Sequence, residues 1–445
     1  MGDQNSQTVS TRLRRIEELA QRRPKMALTT LGHYIDMEWL REAQRRTRRD
    51  GASGVDGQTA EEYERDLEEN LQDLLGRFKT GSYYAPPVKR RYVPKADGSP
   101  RPIGIPTYED KILQRAVAMV LETIYEQDFL DCSYGYRPGR SAHQAIQAWN
   151  SWMTRRGGGW VIELDIQGFF DHLDHRHLRS FLDQRVRDGV LRRTIHKWLK
   201  AGVLEDGQWR RTKEGTPQGG VVSPILANIY LHEVLDLWFH EEVLPRLSGD
   251  AILVRYADDA ILGFASESDA RRVFATLPKR FERFGLRLHP EKTRLLPFHP
   301  PRAGGPRERG PRGRTFDFLG FTFTWRRTLN RRHWLVQPQT ASSRLHRSLR
   351  DLSEWCRRHR HLPIPEQHRV LCRKLRGHYA YYGMSGNARL LRVLAWQATR
   401  SWVKWLRRRS QRTRITWRRW ALLRERFPLP AARIVHRLFP SVSNP

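Results

Sequence analysis

The sequence predicts an α+β protein that passes into an all-helical domain, and three observations carry that expectation. Short apolar runs bounded by turn residues read as antiparallel strands, the clearest being residues 251–264, AILVRYADDAILGF, where two such runs flank a pair of acids. Between these runs, apolar residues recur at helical spacing, most regularly over 112–124. Beyond about residue 336 the chain turns helical throughout, basic and rich in Trp.

Taken in order, residues 1–30 are polar and basic with weak periodicity and are expected to form a frayed or partly helical arm. A helical pattern over 34–49 is broken by the Gly-rich stretch 50–57. A second helix, with Leu67, Leu71, Leu74 and Leu75 on one stripe, fills 60–79. Residues 88–95 and 101–105 flank a turn at 96–100 and predict a basic hairpin. Thr107 and Asp110 form a capping-box pair ahead of the apolar stripe that runs from Ile112 to Ile124.

A loop of Gly and Arg, YGYRPGR at 134–140, leads into a helix near Ser141. A strand over 160–166 ends with Asp165, and a helix through Leu173, Leu178, Phe181 and Leu182 follows it. Ser223, with Pro224 behind it, is the expected N-cap of a helix carrying Ile225, Leu226, Ile229, Val234 and Trp238. After the 251–264 hairpin come a helix near 267–284 and a strand pair ending at 316–323. The insert 300–314, rich in Gly, Pro and Arg, is expected to be a mobile basic loop. In the last region Leu391, Leu394, Ala398, Trp402 and Trp405 share one helical face, while Arg407, Arg408 and Arg409 lie outside it.

Charge narrows the function. Lys and Arg number 80 against 48 Asp and Glu, a net charge of +32 over 445 residues, which points to a polyanionic partner. A membrane is the rival, but no window approaches the roughly 20 apolar residues of a spanning helix. The N-terminal residues lack the apolar centre of a secretory signal, and a cytoplasmic, bacterial-cytosol protein is expected. Three cysteines, Cys132, Cys356 and Cys372, with no Cys-x-x-Cys, argue against a disulfide framework or a zinc ribbon. His172, His175 and His177 have no acid or Cys at ligand spacing and read as helix-surface residues.

In so basic a chain, adjacent Asp258 and Asp259 require a positive counterpart. Two carboxylates at a hairpin tip, with Asp165 at the end of another strand, can hold a pair of divalent cations, and oxygen ligands with phosphate-bearing substrates favour Mg²⁺. A Tyr-x-Asp-Asp string alone arises by chance in roughly 1 in 25 chains of this length. The discriminating feature is therefore the ordered set: ELDIQGFFD around Asp165, YADD 93 residues later, and basic segments around both.

These motifs are similar to those of bacterial group II intron reverse transcriptases with their maturase region, over about residues 31–383. The resemblance implies a right-hand polymerase with an antiparallel palm sheet. It also implies metal ligation by Asp165, Asp258 and Asp259, with two Mg²⁺ ions and Mn²⁺ as a substitute. Lys95 and Arg101 would clamp the incoming dNTP, Phe170 would exclude a ribose 2′-hydroxyl, and Gln218 in TPQGG would touch the templating pair. Lys292 would stand near the pyrophosphate as a candidate general acid. Gly54-Val-Asp-Gly57 resembles the N-terminal extension that covers the template. Arg137 and Arg140, in a loop where Tyr134 replaces the more usual histidine, would meet the template strand. Arg376, Arg407 and Arg408 would contact RNA, whereas Trp396, Trp402 and Trp405 read as core.

The implied domains are a basic arm (1–30), an N-terminal extension and fingers (31–130), a palm with fingers insertions (131–335) and a helical thumb with maturase function (336–445). Expected partners are an RNA template, a DNA or RNA primer, dNTPs and structured group II intron RNA, with no membrane. Oligomeric state stays open. Many family members end in a Cys- and His-containing endonuclease domain; none is legible here, so the primer is expected from another source. Two alternatives remain: a domesticated reverse transcriptase serving phage defence, spacer acquisition or repair, and a non-enzymatic RNA-binding splicing factor. The complete acid triad argues against the second.

Overall fold

The computed structural model describes residues 2–94, 100–205, 208–210, 215, 219–301, 315–328, 332–410 and 415–438. The N-terminal arm is a regular helix, α1 (Gly2–Arg22). Val9, Ile16 and Ala20, spaced by seven and four, are buried, and Arg12 pairs with Asp36 and Glu38. Of the two expectations for residues 1–30, the arm is the partly helical one: a narrow apolar stripe, diluted by polar neighbours, is enough when a core receives it.

Next come α2 (Met37–Arg45), α3 (Ala60–Tyr63) and α4 (Leu67–Thr80). The strands β1 (Val88–Pro94) and β2 (Pro100–Ile105) pair antiparallel, as the basic hairpin predicts. The capping box predicted at Thr107 belongs instead to Thr59, whose side chain and that of Glu62 bond reciprocally. Thr107 does cap α5 (Tyr108–Tyr125) by accepting from the Asp110 amide. The Asp110 carboxylate, however, turns away to Tyr83 and Trp198. An added Cβ at Gly54 would meet the Thr107 Cα at 2.6 Å, so only glycine lets the 50–57 loop pass this cap. Apolar over most of its surface, α5 is mostly buried, with Lys111, Arg115 and Glu122 along a partly exposed strip.

The chain continues through α6 (Ala142–Arg156), β3 (Gly159–Leu164), α7 (His175–Arg185), α8 (Gly189–Lys200), β4 (Val203–Glu205) and β5 (Gln208–Arg210). Next is α9 (Ser223–Leu231), with Val222 rather than Ser223 at the N-cap. From there the helix widens into π-type turns, His232–Asp236 and Trp238–Val243. The rest comprises β6 (Ala251–Tyr256), β7 (Asp259–Phe264), α10 (Glu267–Glu282), β8 (Arg294–Phe298), β9 (Phe316–Phe318), β10 (Phe321–Arg327), β11 (Trp334–Thr340), α11 (Ser342–Arg358), α12 (Ile364–Tyr382), α13 (Ala388–Leu406) and α14 (Trp417–Arg426). Strand orders are β2-β1-β4-β5, β6-β7-β3-β8 and β11-β10-β9.

Contacts divide the chain into two compact units, 1–145 with 163–262 and 268–294, and 146–162 with 263–267 and 295–445. This differs from the consecutive domains read from composition. The aromatic sheet β9–β11 belongs with the C-terminal helices, and strand structure persists to Thr340 rather than ending near 336. Phe316, Phe318, Phe321, Phe323 and Trp325 supply the buried side of that sheet, and Phe316 stacks on Phe323. Leu319 and Gly320, with φ of 50° and 78°, form its tight turn. The second unit's helical core gathers Leu371, Leu375, Leu391, Leu394, Trp402 and Trp420. Trp402 donates to the buried Gln367 there. The insert 300–314 lies almost wholly outside the described residues.

Candidate active site

The two-residue turn between β6 and β7 carries the acids. Ala257 and Asp258 make the turn, and Asp259 opens β7. Ala257 adopts φ 58°, a left-handed conformation that costs an L-residue roughly 1–2 kcal/mol, so the tip needs outside support. Residues 132–135 supply it. Arg255 donates its amide to the Cys132 carbonyl, Tyr134 donates to the Arg255 carbonyl, and Ser133 bridges Arg255 in parallel. Gly135 then packs so closely on Ala257 that any Cβ would collide with the Ala257 amide.

Beneath the turn lies a residue that sequence reasoning passed over. Arg255 is fully buried with its partner Asp236. Its Nε and Nη2 reach the Asp236 carboxylate, Nη1 reaches Asn228 Oδ1 at 2.9 Å and the Ala257 carbonyl at 3.0 Å, and Nη2 also meets Ser133 Oγ at 2.8 Å. Asn228 in turn donates to the Gly135 carbonyl. Burial would push the Asp236 carboxyl up, but the Arg255 charge and hydrogen bonds outweigh it and hold the group below the ordinary range. Every guanidinium donor is used, which fixes the turn from below. The available signal was an Arg inside an otherwise apolar strand, a position that demands a buried partner.

Asp165 lies one residue past β3, half-buried. Its carbonyl accepts from the His289 amide at 2.8 Å and from Thr293 Oγ1 at 3.2 Å, and Gln167 donates to the Arg287 carbonyl. This ladder brings Lys292 to the acid, with Nζ 3.4 Å from Asp165 Oδ2. Burial pushes the Asp258 carboxyl above its ordinary value. Its backbone hydrogen bond and Arg101 draw it back, and the Asp165 charge raises it again. Asp258, Asp165 and Arg101 therefore share one electrostatic neighbourhood. Tyr136, exposed at the tip of the 134–140 loop with φ 57°, feels Asp258, Arg101 and Asp259 as well.

Phe170 is half-buried in the short turn 169–171 after β3 and meets Phe169 edge-on. A Cβ at Gly215 would meet the Phe170 carbonyl, and one at Gly219 would meet Gly104 of β2, so the two ends of the 215–219 loop lie beside Phe170 and beside the basic hairpin. Lys95 and Gln218 fall outside the described residues. His175, expected on a helix surface, is buried and meets the Gly215 carbonyl at 2.6 Å.

Other expected contacts divide. Arg137, predicted to meet the template, is buried instead, paired with Glu126 and bonded to the Leu130 and Ser133 carbonyls, where it braces the loop. Arg140 is half-buried with Asp131. Arg376, Arg407 and Arg408 are exposed. Trp402 is core as expected and Trp405 is half-buried, but Trp396 is 54% exposed.

The three acids offer only oxygen donors, and Asp258 and Asp165 repel, which suits a hard divalent cation. Among the described residues, no three His, Cys, Asp or Glu side chains close into a ready cage. No described helix is long and apolar enough to cross a membrane.

Residues 93–323, just over half the chain, match the family described as reverse transcriptase (RNA-dependent DNA polymerase). The chain is 45% identical over 170 residues to the group II intron-encoded protein LtrA of Lactococcus lactis subsp. cremoris, covering 38% of this chain and 28% of that one. It is 39% identical over 243 residues to protein YkfC of Escherichia coli K12, covering 53% and 64%. Over 146 residues it is 30% identical to nuclear intron maturase 4, mitochondrial, of Arabidopsis thaliana, covering 32% and 18%. The matches thus span less than two thirds of these relatives.

Proposed function

Because the chain belongs to the reverse transcriptase (RNA-dependent DNA polymerase) family, we propose that it copies an RNA template into DNA by extending a primer with dNTPs. The observation that carries this reading is the placement of the acids: the braced turn with Asp258 and Asp259 opens β7, whose sheet neighbour β3 ends just before Asp165, itself 3.4 Å from Lys292. The primer 3′-hydroxyl oxygen attacks the α-phosphorus, a phosphodiester forms, the α–β anhydride breaks and pyrophosphate leaves. Arg101 supplies fixed positive charge where the triphosphate would lie. Lys292, whose Nζ lies 3.4 Å from Asp165 Oδ2, would steady that acid and give a proton to the departing pyrophosphate. Phe170 would press on the sugar edge and disfavour a 2′-hydroxyl.

Asp165, Asp258 and Asp259 would hold divalent ions. Mg²⁺, which binds through one or two carboxylates and completes its shell with phosphate and water, suits this open donor set. When bound, the ions would activate the attacking hydroxyl and neutralise the leaving group. The LtrA and maturase relatives, with exposed Arg376, Arg407 and Arg408, support a second role in binding structured intron RNA.

Primer extension on an RNA template with Mg²⁺ and dNTPs tests the proposal. Asp258→Ala is expected to lower extension by roughly 10²–10³-fold or more. A wild-type chain that extends nothing, or a variant that extends equally well, overturns it.

A further inference from the structure

The second unit contains a groove of about 1270 Å³ between α13, α14 and the segment that follows α14. Its floor is apolar, formed by Ala395, Val403, Leu429 and the inner face of Trp420, which meets Trp402 edge-on above the helical core. Two rings stand at its sides, Trp396 on α13 at 54% exposure and Trp417 on α14 at 74%. For residues so apolar this exposure calls for a reason, since the same unit buries Trp402 to 1%.

Charge says what the rings face. Arg400 sits 4.5 Å from the Trp396 ring centre and Arg407 4.9 Å from that of Trp417. Lys404, Arg408 and Arg424 also line the groove. Among the described residues no carboxylate lines it, and none of these five cations is ion-paired with one. A surface that left so many cations uncompensated around an apolar floor would repel itself, so its occupant must bring negative charge at intervals together with flat apolar faces. A nucleic-acid strand does both. A duplex does not, because its bases are stacked inward and the tryptophans would meet only backbone.

We propose that this groove binds an unpaired stretch of RNA, with bases stacked on Trp396 and Trp417 and phosphates held by Arg400, Lys404, Arg407 and Arg408. Each ring has a guanidinium 4.5 or 4.9 Å from its centre and still keeps more than half of its residue's surface exposed, which leaves area for a base. The inference deepens the RNA-binding reading given above and rests on it. It concerns binding alone and calls for neither metal nor dNTP.

The test uses the full chain with a fluorescent, unstructured 12-nucleotide RNA, without dNTPs and with divalent ions chelated. A failure of primer extension therefore leaves the result unaffected. Trp396→Ala with Trp417→Ala is expected to weaken binding between fivefold and more than a hundredfold per ring, the span of base–aromatic stacking, while Phe at both positions restores most of it. Duplex RNA of the same length should change less than threefold. Both rings are exposed, so folding is expected to persist, and thermal melting checks it. The same oligonucleotide carrying 4-thiouridine should crosslink on irradiation to peptides containing Trp396 or Trp417. Unchanged affinity in the double Ala variant, equal losses for duplex RNA, tighter binding of the matching single-stranded DNA, or crosslinks found only elsewhere would each overturn the proposal.

Discussion

Arg255 is a single residue expected to govern chemistry that it would never touch. Its guanidinium ties Asp236, Asn228, Ser133 and the Ala257 carbonyl into one buried set directly below Asp258. Arg255→Met leaves the Asp236 carboxylate buried without its partner and should cost roughly 3–5 kcal/mol in urea unfolding. Replacing both, with Asp236→Leu added, should recover most of that stability. In the recovered protein kcat is expected to stay about a hundredfold low at a near-normal KM for dNTP, because the turn would have lost its register. If kcat returns with stability, the pair is structural only. The turn that carries Asp258 and Asp259 was legible because its two flanking strands are written as apolar runs along the chain. Arg255 was not, because its partner lies 19 residues away on a π-type turn that no local pattern announces. Arg137 misled for the reverse reason: a basic loop residue looks solvent-facing until Glu126 and two carbonyls are seen to enclose it.

At the level of the element, α5 repays the confidence its periodicity invites, since its stripe agrees with the burial it meets. What the pattern missed is the use of its first turn. Asp110 accepts from Tyr83 and Trp198 Nε1, and Gln114 Nε2 reaches its other oxygen at 3.4 Å. The Gln114 carbonyl oxygen in turn receives the Val221 amide at 2.7 Å, so the start of α5 anchors the approach to α9. These partners stand 27 and 88 residues from Asp110, beyond the reach of any capping rule. Burial pushes the Asp110 carboxyl up to about 6. Between the ordinary value near 4 and this one, the folded chain holds a proton that the unfolded chain has lost, so stability falls as pH rises through the interval. The wild type should lose roughly 2 kcal/mol relative to Asp110→Asn between pH 4 and 6, measured by urea unfolding at each pH. A difference that is flat, or that grows with pH, would remove this account. The same limit of local reading explains α1, whose few apolar positions acquire meaning only against the core that receives them.

Across the whole molecule, the surplus of positive charge should dominate how nucleic acid arrives. A chain of net charge +32 is expected to bind RNA with a log–log salt slope steeper than about −4, that is, at least six phosphate contacts at about 0.7 each for a single strand. Titration between 50 and 200 mM KCl measures the slope. A value shallower than about −2 would mean that the charge serves some purpose other than binding a polyanion. Composition made this attraction legible, whereas the exposure of Trp396 and Trp417 was not, because a helical stripe looks alike whether its far side faces solvent or a neighbour.

The close contact of Gly135 with Ala257 has a practical consequence for anyone who would diversify this protein. Loops around a reactive centre are the usual targets of randomised libraries, on the premise that surface segments tolerate change. Here the glycine, the alanine above it and the asparagine and arginine below leave no slack, so libraries spanning 132–135 or 255–257 should consist mostly of unproductive clones. Variation would be better spent on the exposed face of Tyr136, where the scaffold is already paid for and only the outward surface remains to be chosen.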